Sequence, residues 1–212
     1  MMHAVWRWGP VVGLCMGLFA CGGDPDVAPK SVEQTAVEKP VSPRSQTSSR
    51  GCDGGDAVAC NNLGVMNANG DGVATDKREA VRLYRKACDG GDLGGCVALG
   101  YLYAKGQGVA KDARQGVRLF RIGCDGGDAV GCRSLGVMYD NGEGVPTDKR
   151  EAVRLFRKAC DGGDAVGCRN LGVMYEFGSG VATDQGEALR LFRKACDGGL
   201  QSACEGPTEN GD

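Results

Sequence analysis

Residues 52–87 read CDGGDAVACNNLGVMNANGDGVATDKREAVRLYRKA, and the string returns with small changes from Cys88, Cys124 and Cys160, with a truncated copy from Cys196. The period is 36 residues throughout. Self-similarity at a fixed period of about 20 to 50 residues marks a solenoid, in which each unit buries its apolar face only against its neighbours. The repeat therefore decides the architecture, and any function is to be sought on the surface that the stack presents.

Each unit reads as two antiparallel helices. In DKREAVRLYRKAC, Ala80, Leu83, Tyr84 and Ala87 recur at helical spacing, with Lys77, Arg78, Arg82, Arg85 and Lys86 on the other face, so the second helix is amphipathic. Asp76 stands at its N-cap with Glu79 three residues later, a capping-box pattern that Asp148 with Glu151 and Asp184 with Glu187 repeat. The first helix starts at Asp56, Asp92, Asp128 or Asp164. It carries Cys60, Leu63, Gly64 and Asn67 on its core face, with Tyr103, Tyr139 and Tyr175 replacing Asn67 in later copies. Gly64, Gly100, Gly136 and Gly172 lie mid-helix, where Gly costs up to about 1 kcal/mol relative to Ala. Their recurrence predicts a close approach of the partner helix backbone. Between the helices, NGDGVATD and its equivalents supply Gly for a C-terminal cap, an apolar Val to pin the loop and the next N-cap Asp.

Four full units follow, 56–91, 92–127, 128–163 and 164–199, and residues 200–204 begin a fifth first helix that stops. The string LGVMYDNGEGVPTDKREAVRLFRKAC resembles the Sel-one-like repeat, a relative of the tetratricopeptide repeat, over Cys52 to Cys204. With two cysteines per repeat, the chain is also similar to the Helicobacter cysteine-rich proteins. The resemblance implies an all-α fold, a right-handed α/α superhelical solenoid whose first helices line a concave surface.

Twelve cysteines point to an oxidising compartment. Cys52 and Cys60, Cys88 and Cys96, Cys124 and Cys132, Cys160 and Cys168, and Cys196 and Cys204 share one spacing. The first of each pair ends one helix and the second lies in the first turns of the next, so the turn between them can bring the side chains together. Five structural disulfides are expected. A zinc site would show CxxC spacing or His partners, and the single His is His3.

The N-terminus agrees with secretion. Residues 1–20 read as a signal peptide, with Arg7 before an apolar run from Val11 to Ala20 that is too short for a bilayer span of about 20 residues. Leu18, Phe19, Ala20 and Cys21 resemble a bacterial lipobox, which makes Cys21 the expected lipidation site; Cys15 leaves with the signal peptide, so the lipid accounts for the one thiol left over by the pairing. Residues 21–50, rich in Pro, Ser and charge, read as a disordered linker to the solenoid at 51–204, and 205–212 as a flexible tail. By resemblance to lipoprotein sorting, Gly22 after the modified cysteine implies an outer-membrane location in the cell envelope.

The net charge of −2 gives no bulk attraction to nucleic acid. Basic residues of the second helices, Arg82 to Lys194, lie beside acidic turns and read as solvated faces. The loop from Asn67 to Arg78 lacks the first Asp and twelfth Glu of an EF-hand, so no metal is expected. No catalytic residue and no cofactor is assigned. Some Helicobacter cysteine-rich relatives are described as weak β-lactamases, and that resemblance implies β-lactam binding or hydrolysis as the alternative function. The serine machinery is missing, because Ser134 and Ser179 have Val137 and Ala182 where SxxK has Lys. A peptidoglycan-associated structural role is a further alternative.

The reading that uses the repeat geometry is a protein-binding or scaffolding module of the envelope. On the first helices, Asn62, Val65 and Asn69 lie opposite the core positions. Their equivalents are Ala98, Tyr101 and Lys105; Ser134, Val137 and Asn141; and Asn170, Val173 and Phe177. Stacked, they form an apolar ladder of Val65, Tyr101, Val137 and Val173 with polar flanks, the pattern of a groove for a peptide or protein ligand.

Overall fold

A computed structural model describes residues 42–204, all within the compact unit that begins at residue 38. The expected signal peptide, Cys21 and the tail at 205–212 lie outside the described residues. Helices α1 (Pro43–Asp53), α2 (Ala57–Asn69), α3 (Lys77–Asp89), α4 (Leu93–Lys105), α5 (Ala113–Asp125), α6 (Ala129–Asn141), α7 (Lys149–Asp161), α8 (Ala165–Phe177) and α9 (Gln185–Asp197) follow one another, and a 3-10 turn at Gln201–Ala203 closes the series. Each packs on the next, as an α/α solenoid requires. First helices of successive units also touch, α2 with α4, α4 with α6 and α6 with α8, whereas second helices make no comparable contact. The row of first helices therefore lies on the inner side of the curve.

Every expected N-cap is made: Asp56, Asp92, Asp128 and Asp164 accept from the backbone three residues on, and Asp76, Asp112, Asp148 and Asp184 do the same for the second helices. The reciprocal half of the capping box is not. The Asp148 N–H donates to the Tyr139 carbonyl at 3.0 Å, and the Glu151 carboxylate turns to Arg154 at 2.6 Å. That hydrogen-bonded guanidinium holds the Glu151 carboxyl below its ordinary range, and Arg190 does so for Glu187.

The mid-helix glycines serve rings rather than backbone. A Cβ on Gly136 would stand 2.7 Å from the Phe156 ring, and Gly64, Gly100 and Gly172 face Tyr84, Phe120 and Phe192 in the same way. Each repeat thus buries an aromatic side chain of its second helix with its ring against a bare stretch of its first. A second set of glycines sets the distance between repeats: the loop residue Gly144 has φ 73°, and a Cβ there would stand 2.6 Å from the Ala113 carbonyl carbon of the preceding unit.

The basic faces are exposed, and several of their side chains also bridge successive units. Arg85, Arg121 and Arg157 donate to the hydroxyls of Tyr103, Tyr139 and Tyr175 in the following unit, at 2.7 Å for Arg121. Lys86 and Lys158 donate to the Cys52 and Cys124 carbonyls of the preceding second helix.

Helix α1 corrects the expected linker, whose last residues, 43–50, are helical. It occupies the place of a second helix in a preceding repeat, with Cys52 one period before Cys88, yet puts Ser45 where α3 has Val81 and Ser48 where α3 has Tyr84. Ser42 caps it, Pro43 opens it, and buried Ser45 donates to the Ser42 carbonyl at 2.7 Å. A polar terminal unit of this kind keeps a repeat stack from presenting a bare apolar end.

All five disulfides are present, with Cα–Cα distances between 4.3 and 4.8 Å. Each joins a second helix to the element that follows it. The bridges at Cys52, Cys124 and Cys160 are buried at both ends, Cys88 pairs with a buried Cys96, and Cys204 is exposed beside a half-buried Cys196. Under limiting reductant, Cys196 and Cys204 are therefore expected to be alkylated before the other eight. Simultaneous labelling of all ten would show instead that the bridges open only with global unfolding.

Candidate functional site

The inner face is built largely from first-helix residues left outside the fully buried positions, with core side chains at its floor. In α4 the buried positions are Gly95, Cys96, Val97, Leu99, Gly100, Leu102 and Ala104, which leaves Gly94, Ala98 and Tyr101 along the opposite stripe at helical spacing. The equivalent stripe of α6 carries Val130, Ser134 and Val137.

Between α2, α4 and α6 lies a groove of about 480 Å³. Of the residues expected on this face, Asn69, Ala98, Tyr101 and Ser134 line it. Tyr101 is 51% exposed, a large share for an aromatic ring. Val65, Asn62, Lys105 and Asn141 are exposed on the same helices but outside the lining of this groove. Val137 and Val173 are half-buried, and Val137 packs against the core below. Asn170 is half-buried as well, while Phe177, at 73% exposure, stands at the C-terminal end of α8. The apolar ladder is therefore open at Val65 and Tyr101 and partly closed further on.

Sequence periodicity missed the other lining residues, among them Lys77, Gly94, Gln107, Asp128, Val130 and Arg133. Lys77 belongs to a second helix, and its first turn overhangs the inner face. Arg133 is fixed by Asp164, the N-cap of α8, at 3.0 Å. Asp128 spends one carboxylate oxygen on the Gly131 N–H at 2.6 Å. Lys77 has no ion-pair partner among the described residues. Its equivalent Lys149 is held by Asp140 at 2.7 Å, but the residue at that place in the first repeat is Ala68. The groove thus combines an exposed ring, small side chains, the Lys77 ammonium and the Asp128 carboxylate.

Among the described residues no group of three or more His, Cys, Asp or Glu side chains could hold a metal ion, and no helix is long and apolar enough to cross a membrane. In the loop weighed for calcium, Asn67 donates to the Leu63 carbonyl at 2.9 Å, and its own carbonyl accepts from Asp76.

The Sel1 repeat profile matches residues 57–92, 94–128, 129–164 and 165–200. Among solved structures, the chain is similar to c5321, a protective antigen present in uropathogenic Escherichia coli strains displaying an SLR fold. The identity is 31%, over 75% of this chain and 34% of that one, with a TM-score of 0.69. A Sel1 repeat protein from Oxalobacter formigenes is 28% identical over 76% of this chain and 64% of its own, with a TM-score of 0.72. Helicobacter pylori cysteine rich protein B is 31% identical over 61% of this chain and 93% of its own, with a TM-score of 0.50. This chain spans 34% and 64% of the first two structures. A direct comparison with curated proteins gives no match.

Proposed function

The chain belongs to the Sel1 repeat family, whose members are protein-interaction modules, and on that premise we propose that it binds an extended peptide segment of a partner protein along its first helices. The observation that carries this reading is the groove between α2, α4 and α6 with Tyr101 half out in solvent. An aromatic ring left open beside small residues gives apolar contact area at little conformational cost, as peptide-binding surfaces do. In this reading the protein works as a non-catalytic scaffold of the cell envelope, held to the membrane through a lipid on Cys21. Support for that location comes from the five disulfides, which require an oxidising compartment, and from the secretion pattern of residues 1–21.

The test compares the disulfide-intact protein with a Val65→Ser/Tyr101→Ser variant in affinity capture from solubilised envelope. Both positions are exposed, so helicity and thermal midpoint should not change, which is why half-buried Val137 and Val173 are left alone. A specific protein retained by the first and reduced at least tenfold by the second is the expected result, on the order of the 1.4 kcal/mol or more that one exposed aromatic anchor supplies. Equal retention by both would remove the inner face as the site.

A further inference from the structure

One unit of the stack departs from electrical balance. Residues 92–127 carry five basic and three acidic side chains, a net charge of +2, whereas 56–91 and 128–163 sum to zero and 164–199 to −1. The excess arises on the outer helix α5 and the loop before it. Gln115 stands where the other second helices have Glu79, Glu151 and Glu187, and Lys111 where their loops have Thr75, Thr147 and Thr183. Ile122 replaces the Lys86, Lys158 and Lys194 of the other three. In those helices the glutamate takes the arginine three residues on, as Glu79 takes Arg82 at 2.6 Å. Arg118 instead donates to the neutral side-chain oxygen of Gln115 at 2.9 Å, so its charge is not offset. Lys111 and Arg114 make no ion pair among the described residues.

Ile122 is 50% exposed, and among the described residues no other large apolar side chain is as open on a second helix. Arg114, Arg118 and Ile122 are spaced by four residues and so form one stripe along α5, about 12 Å long at the helical rise per residue. All three line a cleft of about 490 Å³, with buried Val117 beneath them. Arg114 and Gly144 also line a second cleft of about 790 Å³, between the loops of the second and third repeats, where Lys111 stands. Two acidic side chains belong to these linings. Asp112 caps α5 by accepting from the Gln115 N–H at 3.0 Å. Asp125 lies beyond Ile122 and acts on Arg154 of the next unit, whose pKa is raised first by its hydrogen bond with Glu151 and then by Asp125. Arg121 is held by the Tyr139 hydroxyl at 2.7 Å. Against Lys111, Arg114, Arg118 and Arg121, the two acids leave the clefts with a surplus of two positive charges.

We propose that the outer stripe of α5 is a second docking site, which takes an extended acidic segment of a partner protein. Alternate side chains of an extended segment lie about 6.6 Å apart on one side, close to the spacing of about 6 Å between helix positions four apart. Carboxylates at two alternate positions therefore meet Arg114 and Arg118, and an apolar side chain at the next alternate position covers Ile122. The carboxylate on Arg118 supplies what Glu79, Glu151 and Glu187 supply in the other units. The surplus charge is confined to one helix of the outer row, because Arg82, Arg154 and Arg190 are neutralised on the others. Such a line of charge matches one strand of chain and not the plane of an anionic membrane. The site is separate from the inner groove, and neither requires the other.

The fold contains its own controls, since Gln115→Glu and Ile122→Lys restore side chains that three sister helices already carry, and helicity should not change. Phage-displayed random heptapeptides would be selected on the full disulfide-bonded chain. Retained peptides would then be measured by fluorescence anisotropy against that chain, its Gln115→Glu/Ile122→Lys variant, Arg118→Gln and Tyr101→Ser. One set is expected to carry Asp or Glu at two alternate positions, with Leu, Ile, Met or Phe two residues before or after them. The double variant should weaken this set about tenfold, and added salt should weaken it as well. Arg118→Gln, which removes the charge rather than masking it, should act in the same direction, and Tyr101→Ser should leave the set unchanged. If no acidic set is enriched, or if its members bind the double variant as tightly as the unmodified chain, the outer site fails, whatever Tyr101→Ser does to other peptides. Vesicles of equal parts phosphatidylcholine and phosphatidylglycerol form the second arm. Binding to them that the double variant loses, with no acidic peptides enriched, would assign the stripe to a membrane surface and overturn the proposal.

Discussion

Full reduction of the five disulfides is expected to unfold the repeat array. Each bridge closes a loop of nine residues, worth about 2.5 kcal/mol in restricted unfolded-chain entropy. Together they contribute on the order of 10 kcal/mol, comparable with the entire stability of an ordinary domain, about 5–15 kcal/mol. The packing beneath them is thin, since Ala80, Ala87, Ala152, Ala159, Ala188 and Ala195 occupy fully buried positions where larger side chains would bury more surface. Treatment with excess reductant and alkylation at neutral pH should therefore abolish most of the far-ultraviolet helix signal at 25 °C. Replacing only the central pair, Cys124→Ala/Cys132→Ala, should lower stability by about 2.5 kcal/mol and leave a folded protein. Retention of the helix signal and the thermal midpoint after complete reduction would assign the stability to helix packing instead.

The second large effect centres on the ring seat of the third repeat. Phe156 is 2% exposed and lies against Gly136. Phe156→Ala should cost about 3–5 kcal/mol through lost burial and the cavity left behind. Gly136→Val acts in the opposite sense, driving its side chain into the ring, at a cost of about 1–3 kcal/mol. The two changes share one space, so the double variant should be more stable than the sum of the single losses predicts, by about 1 kcal/mol or more. Urea unfolding of the four proteins measures this. Strict additivity would mean that the ring does not occupy the space above Gly136.

Most of this fold could be read from residue types because the determinants are local and recur. Asp at each N-cap, Gly at each C-terminal cap and the cysteine spacing act within one or two turns, and each stands where its pattern placed it. Helix α1 escaped because the signal that marks its equivalents is apolar periodicity, and Ser45 and Ser48 replace Val81 and Tyr84 there. What defines it is tertiary: Cys52 is bonded to Cys60, and the Ser42 N–H donates to the Gly72 carbonyl of the first loop at 3.0 Å. The capping boxes failed for a related reason, since the loop brings the Tyr139 carbonyl to the Asp148 N–H and frees Glu151 for Arg154. In the groove, part of the first-helix stripe, Asn69, Ala98, Tyr101 and Ser134, was legible by period. Lys77 was not, because its place above that stripe depends on how a second helix crosses the first.

The disulfides place the covalent unit out of phase with the sequence repeat. A cysteine pair joins a second helix to the first helix of the next repeat, so the linked block runs from one glycine loop to the next across the tight turn. During gene duplication, gain or loss of any whole number of 36-residue periods leaves every thiol with its mate, wherever in the period the breakpoint falls. Copy number can then drift, and the length of the inner face with it, without a lineage passing through a form that carries a stranded cysteine.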